Sequence, residues 1–362
     1  MRALVMRGER DMRVEELDVP EPGPNDVRVR MVASGVCHTD ATVLNGGMPV
    51  PTPIVLGHEG AGIVDKVGRN VSDVLAGDHV VVSIIIGCES CPQCARGCRE
   101  LCLTTMQNAF AGTLLDGKTR LSQNDEEINS FLCQSSFAEY AVVPAAAAVR
   151  IRRDAPLETV ALLGCGGMTG IGAVNRRAGV RAGSSVVVIG AGGVGLATVM
   201  AANAAGAAPI IAIDLLDEKL EMAKDFGATH TINSAFQDVG AAVLDITGWG
   251  ADYAFDAVGA KGTLEAAFTA VHTGGEVVAI GLTDVSATVT VDVFSLLFQK
   301  RLTGTFGGSI NPQVDIPATV DLFMEGKLPI DRLVSRKYSL DDAVNAFQDM
   351  ESGRIARGVI VL

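Results

Sequence analysis

Ser185-Val186-Val187-Val188-Ile189-Gly190-Ala191-Gly192-Gly193-Val194-Gly195 reads as a buried strand that runs through a glycine turn into a helix. Glycines at 190, 192 and 195 allow, in turn, a tight bend, close approach of backbone to a pyrophosphate, and packing of helix on strand. Gly193 and Val194 then open a helix whose unpaired N–H groups attract phosphate. Downstream, the apolar run Ile210-Ile211-Ala212-Ile213 ends at Asp214. An acid there accepts hydrogen bonds from an adenosine ribose and repels a 2′-phosphate, so NAD is expected over NADP. A glycine turn without a ligand would need neither the strand before it nor the acid after it.

Working outward, the chain from about Gly166 alternates Ala-rich helical stretches with further strand-like runs, among them Tyr253-Ala254-Phe255 and Val277-Val278-Ala279-Ile280. Such alternation predicts a doubly wound parallel sheet, the Rossmann arrangement, over residues 167–305. Residues 1–166 differ in texture, being rich in Gly, Pro and short β-branched runs. Asp26-Val27-Arg28-Val29-Arg30-Met31-Val32 alternates like a half-buried strand, and this portion reads as a mainly β domain. After about Phe306 one helical segment is expected near Ser339 to Glu351, opened by Ser339-Leu340-Asp341-Asp342, and then the apolar Val359-Ile360-Val361-Leu362. That tail is too short for a third domain and is expected to rejoin the first, giving an α/β chain of two domains, 1–166 with 306–362, and 167–305.

With 362 residues and 48% hydrophobic content the chain can bury two cores. No run of apolar residues is long enough to span a bilayer and the start lacks a secretory-type segment, so a cytoplasmic location is expected. The formal net charge of -13 opposes phosphate backbones and anionic lipid, excluding nucleic acid and membrane as expected partners.

Cys88, Cys91, Cys94 and Cys102 form a C-x2-C-x2-C-x7-C array suited to a closed tetrahedral zinc site. Disulfides would need an oxidising compartment, for which there is no export signal. A zinc-ribbon nucleic-acid binder would account for these four residues alone and conflicts with the charge. Cys98 and Cys133 fall outside the rhythm and read as plain thiols. Upstream, Cys37-His38-Thr39-Asp40 and Gly57-His58-Glu59-Gly60-Ala61-Gly62 each carry a metal-capable side chain, and Cys165 sits near the boundary of the two domains along the sequence. Each is weak evidence alone, since a lone buried His more often belongs to the core. A Cys2His set with an open fourth position is, however, the catalytic type of zinc site.

In this order and over essentially the whole chain, the segments resemble the zinc-containing medium-chain alcohol dehydrogenases. The long-loop branch is matched by Asp116-Gly117-Lys118-Thr119-Arg120-Leu121, Ser130-Phe131-Leu132 and Ser136-Phe137-Ala138-Glu139-Tyr140. The resemblance implies a GroES-like catalytic domain and two zinc ions per subunit. Cys37, His58 and Cys165 would hold the catalytic zinc, with Glu59 behind it as a further or transient ligand. Cys88, Cys91, Cys94 and Cys102 would hold the structural one. It further implies that Thr39 bonds the substrate oxygen and that Asp40 orients the ligand His58. His38, Thr169, Val194, Lys219 and Arg357 would contact the cofactor beside Gly190, Gly192, Gly193, Gly195 and Asp214. Ile84, Leu101, Phe131, Leu132 and Leu282 would wall the substrate pocket. By analogy, cofactor domains pair edge to edge through the Val289 to Leu297 region; a homodimer is the expectation and a homotetramer its rival.

Two departures shape the expected function. Where the liver branch has a histidine ending its proton relay, this chain has Thr42. Where glutathione-dependent formaldehyde dehydrogenases carry an arginine after the last structural-zinc cysteine and acids in the first loop, it has Met106 and Gly46-Gly47-Met48-Pro49-Val50. The groups that hold a charged thiol adduct are missing, which disfavours that activity. The expected reaction is reversible oxidation of apolar primary alcohols, benzylic, terpenoid or medium-chain, to aldehydes by hydride transfer to NAD. The alternatives are a nicotinoprotein that keeps NAD bound and passes electrons to another acceptor, and a non-catalytic NAD-binding redox sensor. A sensor has no need of an open metal site.

Overall fold

The structure, a computed structural model, describes residues 1–282 and 288–362. It divides into two compact units, one comprising 1–166, 311–326 and 330–362, the other 167–310 and 327–329.

The first unit is built around the strand Asp26–Gly35, in which Val27, Val29 and Met31 are buried while Arg28 and Arg30 reach outward. That period of two puts one face of the strand into the core. Gly60–Val67 pairs antiparallel along one edge; Tyr140–Pro144 and Arg357–Val361 take successive portions of the other. His79–Val82, Ala148–Arg150 and Val334–Ser339 complete a seven-stranded sheet. Val64, Val80, Val82, Val142 and Val143 join Val27 and Val29 in one buried cluster, each side chain stabilising by about 1.5–3 kcal/mol on full burial. The apolar end of the chain thus lies in the first unit, as the final strand Arg357–Val361.

The second unit holds a six-stranded parallel sheet. Its order is His230–Asn233, Ile210–Asp214, Val186–Ile189, Ala251–Asp256, Val271–Ala279 and Arg301–Gly304. Val186–Ile189 is buried along its whole length, as expected for a strand covered on both faces. The strand order reverses beside it, at the crevice where such sheets take a nucleotide.

Two features differ from the expectation. The chain stays with the second unit until Ile310, rather than leaving it at 305. Gly308 explains this, since it lies at φ 75° with the carbonyls of Met168 and Thr169 within 2.9 Å of where a Cβ would stand, so the Gly307–Ser309 turn is docked on the unit. A second helix, Pro312–Met324, was not expected after Phe306. Pro312 suits its first turn, where no N–H is needed, but Pro317 interrupts the interior and masks the helical signal. The expected segment near Ser339 begins as a short 3-10 turn, Leu340–Asp342, and continues as the helix Ala343–Glu351. No single helix among the described residues is long and apolar enough to cross a membrane.

Candidate active site

Three separate turns of the first unit deliver one cluster of ligand atoms. Cys37 follows the central strand and caps the helix His38–Leu44; His58 and Glu59 immediately precede the strand Gly60–Val67; Cys165 follows the 3-10 turn Ala161–Gly164. The ligand-capable atoms of Cys37, His58, Glu59 and Cys165 all lie within 4.8 Å of one another. His58 is fully buried, yet its Nε2 has no hydrogen-bond partner among the described residues. A buried imidazole nitrogen aimed at two sulfurs is what a zinc ion would satisfy, and the donor set fits a catalytic zinc.

The other imidazole nitrogen is committed. Asp40, also fully buried, places Oδ1 3.0 Å from His58 Nδ1 and accepts the Gly57 N–H at 3.0 Å, while its Oδ2 accepts the Cys37 N–H at 3.3 Å. A carboxylate can only accept, so Nδ1 carries the proton and Nε2 is left bare for the metal. Among the protein groups alone, the Cys37 thiol is held well below its ordinary value. A hydrogen bond from Cys165 does most of this, against burial, with the His58 charge adding to it. Cys165 is pushed well above its own by the same hydrogen bond and by burial. Burial disfavours charge on His58, but Asp40 and Cys37 outweigh it and raise that residue. Thr39 places Oγ1 3.7 Å from the Cys37 sulfur.

Glu59 is fully buried and takes the Gly166 N–H on Oε1 at 2.9 Å. Its Oε2 is ion-paired with the buried guanidinium of Arg357. Burial pushes the Glu59 carboxyl up and Arg357 pulls it back; burial likewise works against the charge on Arg357, which Glu59 more than restores. Because a guanidinium keeps its proton, the pair is read as ionic. Removing one member of such a pair costs about 3–5 kcal/mol, since it strands the other charge. Besides the cofactor contact that the resemblance implies for it, Arg357 pairs with Glu59, a pairing that nothing local in the sequence announces.

The segment Phe131–Phe137 lies directly behind this cluster. Phe131 sets its ring edge-on to His58, with centroids 5.7 Å apart. Leu132, Cys133 and Ser135 adopt left-handed backbone at φ 50°, 54° and 56°. Each non-glycine residue in that region costs about 1–2 kcal/mol, so surrounding contacts must hold the turn. Ser135 Oγ supplies two of them, accepting from Phe131 N at 2.9 Å and donating to the Val55 carbonyl at 2.8 Å. Ile84, Phe131 and Leu132 are buried in this unit, whereas Leu101 is exposed on the cysteine lobe and Leu282 is exposed in the second unit.

In the lobe, the sulfurs of Cys88, Cys91, Cys94 and Cys102 again lie within 4.8 Å of one another. Backbone N–H groups already point at three of them. Cys102 N is not among the donors: the Cys88, Cys91 and Cys94 amides donate to the sulfurs of Cys102, Cys88 and Cys91 at 3.3, 3.3 and 3.5 Å. Such bonds favour thiolate, the form that binds metal. Hydroxyls of Ser90 and Thr104 bring Cys88 down to about 5, while burial lifts Cys94 to about 12. Four thiolates with no open position fit a structural zinc. All eight cysteines are free of disulfides, and Cys98 and Cys133 lie outside both groups.

In the second unit, Gly190 turns at φ 91°, and a Cβ on Gly195 would meet the Gly190 carbonyl at 1.7 Å. Around Gly192, by contrast, a Cβ would meet nothing within 4 Å, which leaves room for a pyrophosphate. The helix Gly193–Ala204 starts there, and among the described residues no side chain caps its amino end. Asp214, at the end of its strand, takes the Ala191 N–H on Oδ2 and the Leu215 and Leu216 N–H groups on Oδ1. The acid is thereby fixed beside the glycine turn. Lys219 is half-buried on the helix Asp217–Asp225 and Thr169 is buried on Gly166–Gly172, while His38, in the first unit, is exposed.

Comparison with known proteins agrees with both units. The family model described as an alcohol dehydrogenase GroES-like domain matches residues 23–153, and that described as a zinc-binding dehydrogenase matches 193–325. S-(hydroxymethyl)glutathione dehydrogenase of Synechocystis sp. is 37% identical over 353 residues, 96% of each chain. Among solved structures, an alcohol dehydrogenase zinc-binding domain protein from Burkholderia ambifaria superposes with a TM-score of 0.96 at 40% identity, covering 100% of this chain and 98% of that one. Benzyl alcohol dehydrogenase from Acinetobacter calcoaceticus does so with 0.95 at 37%, covering 100% and 99%. A thiolate lobe, a buried Cys2His cluster with an acid beside it and an NAD-type sheet therefore stand in a chain that belongs to the zinc-containing medium-chain alcohol dehydrogenases, NAD-dependent oxidoreductases.

Proposed function

We propose that this enzyme oxidises uncharged, apolar primary alcohols of the benzylic class, with medium-chain and terpenoid alcohols as neighbours in specificity, and reduces the matching aldehydes. Relatives named for S-(hydroxymethyl)glutathione and for benzyl alcohol are both 37% identical, so overall identity does not separate them. The observation that carries the reading is the lack of charge where an anionic adduct would be held, at Met106 and along Gly46-Gly47-Met48-Pro49-Val50.

Cys37, His58 and Cys165 would hold the catalytic zinc, with Glu59 close behind. When bound, zinc supplies Lewis acidity that makes an alcohol proton easier to lose, and NAD supplies the hydride acceptor. Asp40 keeps His58 in the metal-binding tautomer. Thr39 would orient the substrate hydroxyl and accept its proton at Oγ1. Thr42 donates its own hydroxyl proton to the His38 carbonyl at 2.9 Å, so it offers only lone pairs to a departing proton and stores none. The pH profile is therefore expected to lack a step from an imidazole at this position.

The test is the initial rate of NADH formation from benzyl alcohol, 1-hexanol and S-(hydroxymethyl)glutathione on zinc-replete enzyme with added NAD. Benzyl alcohol is expected to exceed the glutathione adduct in kcat/KM by about 10²-fold. A preference for the adduct would sink the proposal. No NADH from any of them, together with NAD that stays with the protein through gel filtration, would instead favour the nicotinoprotein alternative.

A further inference from the structure

One side chain joins the segments that carry three of the four metal-capable residues. Gln134 is only 1% exposed and uses both ends of its amide. Its Oε1 accepts the Gly60 N–H at 2.7 Å, and its Nε2 donates to the His58 carbonyl at 3.1 Å, so a single amide grips the backbone on both sides of Glu59. The same Nε2 reaches the Val82 carbonyl at 3.4 Å. Val82 ends the strand that leads to Ile84, whose N–H donates to Gly164, the residue before Cys165. The backbone carbonyls can only accept and the Gly60 N–H can only donate, which fixes the orientation of the amide.

The surroundings are built for this grip. Ser136 N donates to the Gly57 carbonyl at 2.9 Å, and Phe137 N to that of Leu56 at 3.1 Å, so the segment lies along the ligand-bearing chain. A Cβ on Gly60 would stand 2.3 Å from Met31, 2.8 Å from Ser136 and 2.9 Å from the Gln134 oxygen; one on Gly57 would stand 2.6 Å from Phe137 N. Glycines flank His58 and Glu59 because the two segments press together. The left-handed residues at 132, 133 and 135 aim Gln134 into that contact.

We propose that Gln134 is a positioning residue for the catalytic metal. Its amide fixes the peptide units of His58, Glu59 and Gly60 against the turn that presents Cys165, so the donors are set before zinc arrives. The proposal rests on the reading that Cys37, His58 and Cys165 bind zinc.

Gln134→Met keeps length and bulk while removing every side-chain hydrogen bond at this position. Wild type and variant are loaded with metal, titrated with dipicolinate, and assayed for metal per subunit; cobalt-loaded samples are compared by their visible d–d bands. Val143→Ala, in the sheet core, serves as a control for general loss of stability. The expected result is that Gln134→Met gives up one of its two metals at about tenfold lower chelator or less. Its cobalt bands shift, it keeps the lobe metal, and Val143→Ala behaves as wild type. Where Gln134→Met does not fold, Gln134→Asn, whose amide is too short to make these bonds, is read in the same way. Unchanged chelator resistance and cobalt bands in the folded variant would overturn the proposal while leaving the zinc reading intact. A wild type that binds only one metal per subunit would overturn both.

Discussion

Thr39 and Asp40 are neighbours with different duties, and single substitutions separate them. Thr39 Oγ1 stands 3.7 Å from the Cys37 sulfur, and in the proposed reaction it takes the substrate proton. Thr39→Val is expected to lower kcat by about 10²–10³-fold with both metals retained, and Thr39→Ser to recover most of it; steady-state kinetics with metal analysis decide this. At this scale the sequence showed the residues that gather into the two metal-capable clusters and hid their supports. Cys37, His58, Cys165 and the four lobe cysteines carry their chemistry in their type and spacing. Gln134 lies 76 positions from the His58 carbonyl that it holds, and Gly166 lies 107 from the Glu59 oxygen that it satisfies. Bonds of that reach leave no periodic trace. A signal existed in the polar run Gln134-Ser135-Ser136 set between apolar neighbours, all three buried.

The helix Ala343–Glu351 braces the site from outside. Phe347 meets Phe137 edge-on with centroids 6.0 Å apart, and Glu351 accepts from Asn45, just past the helix that Cys37 caps, at 2.7 Å. Asp349 ties it to the strand Val334–Ser339, accepting from the Tyr338 hydroxyl at 2.7 Å and Arg336 at 3.0 Å. The Tyr338 bond, against burial, holds the Asp349 carboxyl below its ordinary value, with Arg354 and Arg336 helping; burial, then Asp349, lifts Tyr338 to about 12. A lowered carboxylate contributes stability above the unfolded value, roughly 4, and loses it as pH falls through the lower folded value. Asp349→Asn is therefore expected to reduce the melting temperature by a few degrees at pH 7, with the gap to wild type closing as pH drops below about 4. Equal gaps at both pH values would contradict this assignment. Most elements were legible: the strand Asp26–Gly35 from its alternation, the parallel strands from their unbroken β-branched runs, and the Ser339 cap from its hydroxyl. The helix Pro312–Met324 was not, because its apolar residues do not keep to one stripe and Pro317 argues against a helix that packing nonetheless enforces.

For the whole molecule, the acidic surface and the exposed sheet edge set the outlook for assembly. Val293, Phe294 and Leu297 are 72%, 69% and 74% exposed on a short helix just before the outermost strand, Arg301–Gly304. An edge strand beside apolar side chains invites pairing with a second copy, and a homodimer is expected despite the net charge of -13. Phe294→Asp with Leu297→Asp should shift sedimentation from dimer to monomer; an unchanged dimer would place the interface elsewhere. The two-unit organisation was readable from the change of texture near Gly166, whereas the exact return point was not, since Gly308 is fixed by carbonyls that precede it by more than a hundred residues. That the chain returns at all has a consequence for biogenesis. Arg357, which neutralises Glu59, sits on the final strand, the one that closes the sheet beside Gly35. On the ribosome, residues 167–310 emerge and can fold while the first unit still lacks this strand. The buried acid then has no cation, so the metal-capable cluster stays incomplete until residue 357 has emerged, and a nascent chain stalled before that residue would carry a formed nucleotide fold and an unfinished metal centre.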